Sequence, residues 1–353
     1  MSFSNKIIQW YRAEGRQLPW RNVDNPYFIW LSEIILQQTR IEQGLEYYFH
    51  FINTYPTVAD LASATEEQVL KSWQGLGYYS RARNLHSAAQ YIVNHFNGEF
   101  PDNYKDICSL KGVGPYTAAA VASFAFKLPY PVIDGNVYRL ITRLFGIYTP
   151  VPSNAAYKEI ETLLKSLIDV EHPDLFNQAL MDYGSMVCKP LNPDCASCIF
   201  ARECIALQKG KVEVLPVKMA PPKVKERFFY YFDIEWPMGS QRYTWVQCRK
   251  GKDIWQGLYE YPLVESDSEW DDNCLVDNAK RFCGDFFSAQ PVELSCLAQF
   301  THKLTHQTIK ARFVHLVFDE EPYSNPINSR SVPCSMLKTL PVSRLIDRYL
   351  SKK

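Results

Sequence analysis

The 353-residue sequence lacks several features that mark other classes of protein. It has no run of about 18 apolar residues, the length that a membrane-spanning helix requires. Its first residues, Met-Ser-Phe-Ser-Asn-Lys, contain no apolar segment of a secretory signal, so we expect a cytoplasmic protein. The 38 Lys and Arg balance 38 Asp and Glu, so no overall positive field indicates a nucleic-acid partner. We find no internal repeat or low-complexity tract.

Ten cysteines in a cytoplasmic chain favour metal ligands or free thiols over a disulfide framework. Four of them form a C-x6-C-x2-C-x5-C pattern: Cys188, Cys195, Cys198 and Cys204. Zinc sites usually show two short cysteine knuckles, and here only the middle pair has that spacing. The spacing therefore predicts a metal or cluster cage and leaves zinc and iron–sulfur both open.

Apolar residues recur every three to four positions up to about residue 205, which predicts a helical domain. The predicted helices are Lys6–Arg12, Trp30–Thr54, Thr65–Leu70, Arg81–Asn94 and Asn154–Asp169. Asp60 and Thr65 are expected to be N-caps. We expect no strand before about residue 210.

The pattern changes beyond this helical region. Residues 209–226 place three prolines among lysines, which predicts an extended basic linker that could lie along an anionic partner. Short alternating segments follow, with strands expected at Arg227–Trp236, Tyr243–Cys248 and Ile309–Phe318 and helices at Trp270–Phe282 and Ser343–Leu350. The pattern of residues 227–353 therefore predicts a second, α+β domain.

Glu33 lies between Trp30, one helical turn earlier, and the apolar run Ile34–Leu36. Burial among such neighbours would raise the pKa of its carboxyl group and retain the proton near neutral pH. A protonated carboxyl beside Gln37, Gln38 and Thr39 has the properties of a general acid. The alternative is a glutamate on the solvent-exposed side of an ordinary helix.

Two further segments have both a structural and a functional interpretation. Gly112, Val113 and Gly114 predict a tight hairpin between helices, whose backbone N–H groups could hold a phosphate. The alternative is a simple connection between core helices. Asp134 precedes a periodic helix and, taken alone, is expected to be an N-cap.

These segments, in this order, resemble the endonuclease III superfamily of DNA glycosylases over residues 30–204. Leu18-Pro19-Trp20-Arg21, residues 75–85 (Gly-Leu-Gly-Tyr-Tyr-Ser-Arg-Ala-Arg-Asn-Leu) and Phe176-Asn177-Gln178-Ala179-Leu180 are similar to the MutY-type adenine DNA glycosylases within it. The resemblance implies an all-α helix-hairpin-helix glycosylase domain at residues 1–208, with the hairpin at about 104–126. The same resemblance implies that the cysteine loop at 188–204 binds a [4Fe-4S] cluster rather than zinc.

The resemblance implies hydrolysis of the N-glycosidic bond of adenine mispaired with 8-oxoguanine or guanine in double-stranded DNA. Glu33 would protonate the flipped purine at its ring nitrogen seven, and Asp134 would stabilise an oxocarbenium-like sugar. The resemblance also implies that Tyr116 and Asn136 line the catalytic site and that Arg21 and Gln178 hold the adenine. Tyr78 would be the wedge that fills the gap left by the flipped base. The orphan base would be contacted by Gln38, Thr39 and Leu76, and a phosphate by the backbone of Gly112, Val113 and Gly114.

The C-terminal domain carries a weaker resemblance to the same family. Residues 300–306, Phe-Thr-His-Lys-Leu-Thr-His, resemble its Phe-x-His-x-Phe-Ser-His loop, so Leu304, Thr305 and His306 are expected to contact 8-oxoguanine. Leu304 replaces the aromatic residue of that pattern, and Thr305 replaces the serine. Residues 255–262 resemble its Nudix-like fold, but no helix with clustered glutamates follows, so we expect binding rather than hydrolysis. We expect a monomer, which in a bacterium would associate with the nucleoid.

Two other functions would use the same segments. A bifunctional glycosylase/lyase for oxidised pyrimidines needs a lysine nucleophile two residues after the Gly-Val-Gly unit, where this chain has Tyr116. A non-catalytic DNA-binding module would keep the hairpin and the cysteines without needing Glu33 and Asp134. We therefore expect a monofunctional enzyme.

Overall fold

The computed structural model describes residues 2–21, 23–220, 224–287, 290–322 and 329–353. The chain divides into two compact units. The first unit consists of Met1–Ser63 and Ser87–Pro221, and the second of Ala64–His86 and Pro222–Lys353. None of the described helices is long and apolar enough to cross a lipid bilayer.

Helices account for the regular structure from the N-terminus to residue 208. They are α1 (Phe3–Glu14), α2 (Pro26–Ile35), α3 (Ile41–Thr54), α4 (Val58–Ser63), α5 (Glu66–Ser72), α6 (Ser80–Phe96), α7 (Tyr104–Ser109), α8 (Pro115–Phe126), α9 (Gly135–Phe145), α10 (Asn154–Leu167), α11 (Pro173–Met186) and α12 (Ile205–Gln208). The predicted helical domain is therefore confirmed.

Two details of the predicted helices are wrong. The segment predicted as one helix over Trp30–Thr54 is two helices, because Gln38 has a positive φ of 56°, which a right-handed helix cannot include. Asp60 is not an N-cap. Thr57 occupies that position before α4, since its hydroxyl accepts from the Asp60 N–H and its own N–H donates to the Asp60 carboxylate. Thr65 does cap α5, with Gln68 completing a capping box.

The core of the first unit forms where α1 and α9 pack against α11. Ile7, Leu140, Phe176 and Leu180 are among its buried side chains. Phe200, from the cysteine loop, is buried in the same cluster. Close packing in this core therefore holds the start of α9 and the cysteine loop in fixed positions.

The predicted basic linker begins as part of the first unit. Leu215 is buried, and its carbonyl accepts a hydrogen bond from Arg143 Nε at 2.9 Å. Residues 217–219 are extended and pair with Val151 through Val151 N–Val217 O (2.8 Å) and Met219 N–Val151 O (3.2 Å). Residues 221–223 lie outside the described residues.

The described residues of the second unit form a mixed β-sheet that contains the three strands predicted from the alternating pattern. Its elements are β1 (Lys225–Met238), β2 (Gln241–Cys248), β3 (Tyr259–Glu260), β4 (Leu263–Ser266), α13 (Asp272–Phe287), β5 (Glu293–Lys303), β6 (Gln307–Val317), β7 (Ser329–Pro333), a 3₁₀-helix (Cys334–Thr339) and α14 (Arg344–Leu350). The strand order is β3-β2-β1-β6-β5, with β4 paired to β1 and β7 to β2. Strands β1 and β6 are parallel and the other pairs antiparallel.

Alternation along β1 separates two apolar clusters. Phe229 and Tyr231 belong to the cluster that includes side chains of α14. Phe232 and Ile234 belong to the cluster that includes side chains of α13. Successive strand residues point to opposite faces, so the sheet lies between these two helices and the α+β prediction is confirmed.

Candidate active site

Glu33 is buried in the first unit, with 7 % of its surface exposed. Asn25 is the N-cap of α2, and Pro26 is its first residue. Trp30 and Ile34 of the same helix are also buried. Tyr116 OH, from the first turn of α8, donates a hydrogen bond to Glu33 Oε2 at 2.8 Å. The predicted burial is confirmed, and the alternative of a glutamate on the solvent-exposed face of the helix is wrong.

Burial has the largest effect on the protonation of Glu33. The pKa of Glu33 is raised from 4.5 to about 7, chiefly by loss of solvation; the Tyr116 hydrogen bond and the charge of Arg21 oppose this rise, and the charge of Asp134 adds to it. Glu33 can therefore hold or release a proton near neutral pH. Tyr116 stays protonated, because burial and then the charges of Glu33 and Asp134 raise the pKa of its phenol well above 10.

Asp134 is the N-cap of α9, as predicted. Its Oδ1 accepts from the backbone N–H groups of Asn136 (2.9 Å) and Val137 (2.7 Å), and its Oδ2 accepts from Asn136 Nδ2 (2.7 Å). Burial raises the pKa of Asp134 above its usual value despite these bonds. Among the described residues, three hydrogen-bond donors contact this carboxylate, whereas Glu33 accepts one hydrogen bond, from Tyr116. The two carboxyl groups therefore have different environments.

Arg139 connects the start of α9 to the cysteine loop. Its guanidinium donates to Asn136 Oδ1 (2.9 Å), to Gly184 O (2.5 Å) and to Cys188 O (2.7 Å). Gly184 is required here, since a Cβ at this position would lie 2.7 Å from the Asn136 carbonyl oxygen. Sequence reasoning missed both residues, because nothing in the local pattern distinguishes Arg139 from a surface arginine.

Arg21 is held by a buried carboxylate that the sequence analysis did not single out. Arg21 Nη2 donates to Asp182 Oδ1 at 2.7 Å, and Arg16 Nε donates to the same oxygen at 2.8 Å. Burial would raise the pKa of Asp182, but its bonds to Arg21 and Arg16 lower it overall. Arg21 Nη1 also lies 3.3 Å from Tyr11 OH, which donates to Gln178 Oε1 at 2.7 Å. The predicted adenine contacts Arg21 and Gln178 thus belong to one network.

The predicted hairpin joins α7 to α8. Gly112 has a φ of 80°, which favours glycine, and Val113 is buried and anchors the turn. Gly114 caps α8 without a side-chain hydrogen bond, and a Cβ there would meet nothing within 4 Å. The backbone conformation does not demand glycine at position 114, so its lack of a side chain leaves the helix N-terminus open to a close ligand.

The predicted orphan-base contacts differ in exposure. Gln38 is exposed, and Thr39 is half-buried. Leu76 is 7 % exposed, so its side chain mainly packs inside the second unit.

Tyr78 projects from a tight loop in the second unit, residues 73–79, which we call the Tyr78 loop. Gly75, Gly77 and Tyr78 all have positive φ angles, and the Tyr78 side chain is 47 % exposed. The Arg81 guanidinium lies over the rings of Trp73 (5.0 Å) and Tyr78 (5.7 Å) and donates to Gly77 O at 3.2 Å. These contacts fix the loop around an exposed aromatic ring.

The turn between β5 and β6 carries the three residues predicted to read 8-oxoguanine. Thr305 and His306 are exposed, whereas Leu304 is half-buried and packs against the apolar cluster on the α14 side of the sheet. Thr305 Oγ1 lies 2.7 Å from Tyr78 OH. Only Thr305 and His306 therefore present their side chains to a ligand, and Leu304 supports the turn.

The four motif cysteines line one pocket in the first unit. Apolar residues, among them Leu140, Leu144 and Phe200, form most of the remaining wall. Arg143 Nη1 donates to Cys188 Sγ at 3.5 Å, and Tyr183 OH donates to Cys198 Sγ at 3.2 Å. All four thiols are free. Four sulfur donors beside a guanidinium that would balance thiolate charge fit a thiolate-bound metal or iron–sulfur cluster.

Comparison with known proteins defines the class of this site. Residues 31–169 match the family described as HhH-GPD superfamily base excision DNA repair protein. The fold is similar to that of a thermostable thymine-DNA glycosylase, at 30 % identity and a TM-score of 0.55 over 59 % of this chain and 95 % of that one. It is also similar to endonuclease III in a trapped covalent complex with DNA, at 22 % identity, a TM-score of 0.51 and coverage of 59 % and 94 %. The helical part is therefore a base-excision glycosylase fold.

Two relatives narrow this class. An adenine DNA glycosylase of Buchnera aphidicola subsp. Baizongia pistaciae is 31 % identical over 98 % of this chain and 96 % of the relative. An adenine DNA glycosylase of Mus musculus is 30 % identical over 92 % and 72 %. The chain belongs to the adenine DNA glycosylase family, and it is an enzyme of base excision repair.

The buried carboxyl group of Glu33 predicts a pH-dependent effect on stability. Its pKa is higher in the folded chain than in the unfolded chain, so folding stability falls as the pH rises from about 4.5 to about 7, and the penalty is complete above that window. Glu33→Gln should therefore raise the free energy of unfolding at about pH 8 by roughly 1 to 3 kcal/mol and have little effect at about pH 4.

Denaturant unfolding at the two pH values measures this difference. Glu46→Gln, on the exposed side of α3, is the matched control and should change stability at neither pH. An effect of Glu33→Gln that is equal at both pH values would contradict the raised pKa.

Proposed function

We propose that this enzyme hydrolyses the N-glycosidic bond of adenine opposite 8-oxoguanine or guanine in duplex DNA. The observation that carries the proposal is the pair of carboxyl groups in the first unit. Glu33 is desolvated and has a pKa of about 7, and Asp134 is held by three donors. One group can act as an acid while hydrogen bonds stabilise the carboxylate of the other, a division of roles that cleavage of a glycosidic bond requires.

Glu33 is the general acid in this mechanism. The adenine must leave the base stack before the glycosidic bond becomes accessible. Because Tyr116 donates to Oε2, the proton of the neutral carboxyl group resides on Oε1 and can pass to ring nitrogen seven of the purine. The Tyr116 bond then stabilises the carboxylate that remains. Protonation converts the base into a good leaving group.

Asp134 stabilises the sugar after departure of the base. Its carboxylate provides a negative charge for the oxocarbenium-like transition state, and water then adds to the sugar. Asn136 and the N-terminus of α9 orient this carboxylate through their three hydrogen bonds. Tyr116 supplies no amine at the position where lyases of the superfamily carry lysine, so the abasic product stays unbroken until alkali is applied.

Several groups are suited to hold and open the duplex. The open N-terminus of α8 at Gly114 and the backbone of Gly112 and Val113 would bind a phosphate without reading sequence. Tyr78 would fill the gap left by the flipped base, and Gln38 and Thr39 would contact the orphan base. Arg21 and Gln178, fixed through Asp182 and Tyr11, would hold the adenine.

Thr305 and His306 are the proposed readers of the base opposite adenine. Both are exposed at the turn between β5 and β6. A hydroxyl can donate and accept, and an imidazole offers a ring nitrogen, so both can pair with the oxygen and N–H that distinguish 8-oxoguanine from guanine.

We further propose that Cys188, Cys195, Cys198 and Cys204 hold a [4Fe-4S] cluster. The sulfur-only donor set and the cationic Arg143 are suited to it. Such a cluster would fix the loop structurally and take no part in hydrolysis, which transfers no electrons. Arg202, Lys209 and Lys211, near the last cysteine, would then face phosphate.

An end-labelled duplex with adenine opposite 8-oxoguanine tests the activity. The wild-type chain should yield strand breaks at the adenine only after alkali. Glu33→Gln should keep duplex binding and lose excision by about two to four orders of magnitude, because an amide cannot donate the acid proton. Glu46→Gln is the control and should excise normally. Near-normal excision by Glu33→Gln would refute its role.

Metal analysis tests the cluster. The purified protein should be yellow-brown and contain about four iron atoms per chain. Cys198→Ala should lose most of the iron, whereas Cys274→Ala, in the second unit, should retain it. One zinc and no iron would refute the cluster.

A third experiment tests the reading of the opposite base. Thr305→Ala with His306→Ala should lower the ratio of excision rates, 8-oxoguanine over guanine, by about thirtyfold or more, since each of the two lost contacts removes about 1 to 3 kcal/mol of discrimination. Thr301→Ala, an exposed threonine of β5, is the control. Leu304 remains unchanged because it packs against the core. An unchanged ratio would assign the discrimination to other residues.

A further inference from the structure

The stretch Ala64–His86 folds with the C-terminal part of the chain in the second unit. It contains α5, the Tyr78 loop and the start of α6. The glycosylase family match over residues 31–169 includes this stretch. The element that carries Tyr78 is therefore part of the glycosylase sequence, while its packing belongs to the unit that contains the sheet.

Hydrogen bonds fix the chain just before the Tyr78 loop. Lys71 Nζ donates to Lys338 O (2.6 Å) and Leu340 O (3.2 Å), at the end of the 3₁₀-helix. Lys71 Nζ also donates to Gln74 Oε1 at 3.0 Å, and the Val342 N–H donates to the same oxygen at 3.4 Å. An ammonium group thus pairs with carbonyls at a helix C-terminus, where positive charge is stabilised.

A second set of bonds fixes the end of the loop and the chain that follows it. Tyr79 OH donates to Val342 O at 3.3 Å and accepts from the Gly75 N–H at 3.3 Å, so one hydroxyl joins the base of the loop to the C-terminal segment. Arg83 Nη1 donates to Gln256 O at 2.6 Å. The next residue, Gly257, has a φ of 84°, and a Cβ there would lie 2.9 Å from Leu70 Cδ1. The left-handed backbone conformation at this position favours glycine.

The conformation of Tyr78 explains why such support is needed. Tyr78 has a φ of 47°, in the left-handed region that disfavours residues with a Cβ, although its side chain is 47 % exposed. Backbone strain of this kind persists where the surroundings determine the conformation, and it is concentrated at functional sites. The described bonds on both sides of the loop provide that determination.

We propose that the C-terminal part of the second unit holds the Tyr78 loop in its DNA-inserting conformation, with Lys71 and Arg83 as positioning residues. The inference rests on the proposed function in that insertion of Tyr78 assists excision. It gives the C-terminal part a second role. Reading by Thr305 and His306 affects only the preference for 8-oxoguanine, whereas support of the loop contributes equally to excision from every adenine pair.

Lys71→Met with Arg83→Met in the full chain tests this role. Both changes remove the donated bonds to main-chain carbonyls and keep much of the side-chain bulk. Backbone amides of residues 73–79 should exchange with deuterium about tenfold faster, while those of β1 and β6 keep their protection. Single-turnover excision opposite 8-oxoguanine and opposite guanine should fall by the same factor, about tenfold.

Two further variants make the test specific. Lys310→Met removes an ammonium group of the second unit, on a half-buried side chain, that pairs with Glu226 and Glu269, and it should change neither exchange nor excision. Arg83→Lys keeps a cationic donor and, in the Lys71 wild-type background, should retain most of the loop protection. The fluorescence of 2-aminopurine next to the mispair, which reports local unstacking, should fall in the double variant.

The outcomes separate this inference from the proposed function. Unchanged exchange of residues 73–79 would overturn the inference, as would a change in the ratio of the two excision rates without a common fall. Loss of protection throughout β1 and β6 would also overturn it, since the bonds would then stabilise the whole unit. If the wild-type chain excised no adenine, the proposed function would fail, and the exchange data would still decide whether the C-terminal part holds the loop.

Discussion

Removal of a single carboxyl group from water is the constraint on which this site depends. Glu33 lies among buried apolar residues of α2 and accepts a hydrogen bond from the Tyr116 hydroxyl. That one bond compensates only part of the lost hydration, so the pKa rises to about 7. Asp134 receives three hydrogen bonds, two of them from the backbone at a helix N-terminus, where negative charge is favoured. Two carboxyl groups in the same unit are therefore suited to opposite roles.

Arginine side chains hold the irregular parts of the first unit in place. Arg139 and Arg143 donate to carbonyl oxygens of residues 184, 188, 189, 190 and 215, which lie outside regular strands or at the end of α11. Buried carbonyl groups need donors, and in a loop that has few of its own the guanidinium groups supply them. The same Arg139 contacts Asn136, so the position of Asp134 and the path of the cysteine loop are set by connected bonds.

The two roles proposed for the second unit are recognition of the opposite base and support of the Tyr78 loop. Its sheet carries an exposed turn with Thr305 and His306 at one hairpin, and α13 and α14 cover its two faces. The stretch Ala64–His86 packs with this unit although it lies between helices of the first unit in the sequence. An exposed tyrosine in a left-handed conformation can keep one orientation because the residues on both sides of it are bonded to the C-terminal segment.

The sequence alone determined the features that depend on neighbouring residues. Helix periodicity, the Asp134 cap, the Gly112 hairpin and the strand alternation of β1 are local, so they could be read from spacing. Tertiary structure decided the rest, because the partners are distant in the chain. Tyr116 lies 83 residues from Glu33, and Asp182 lies 161 from Arg21. The break at Gln38, the burial of Leu76 and Leu304, and the membership of Ala64–His86 in the second unit likewise follow from packing, which no local pattern encodes.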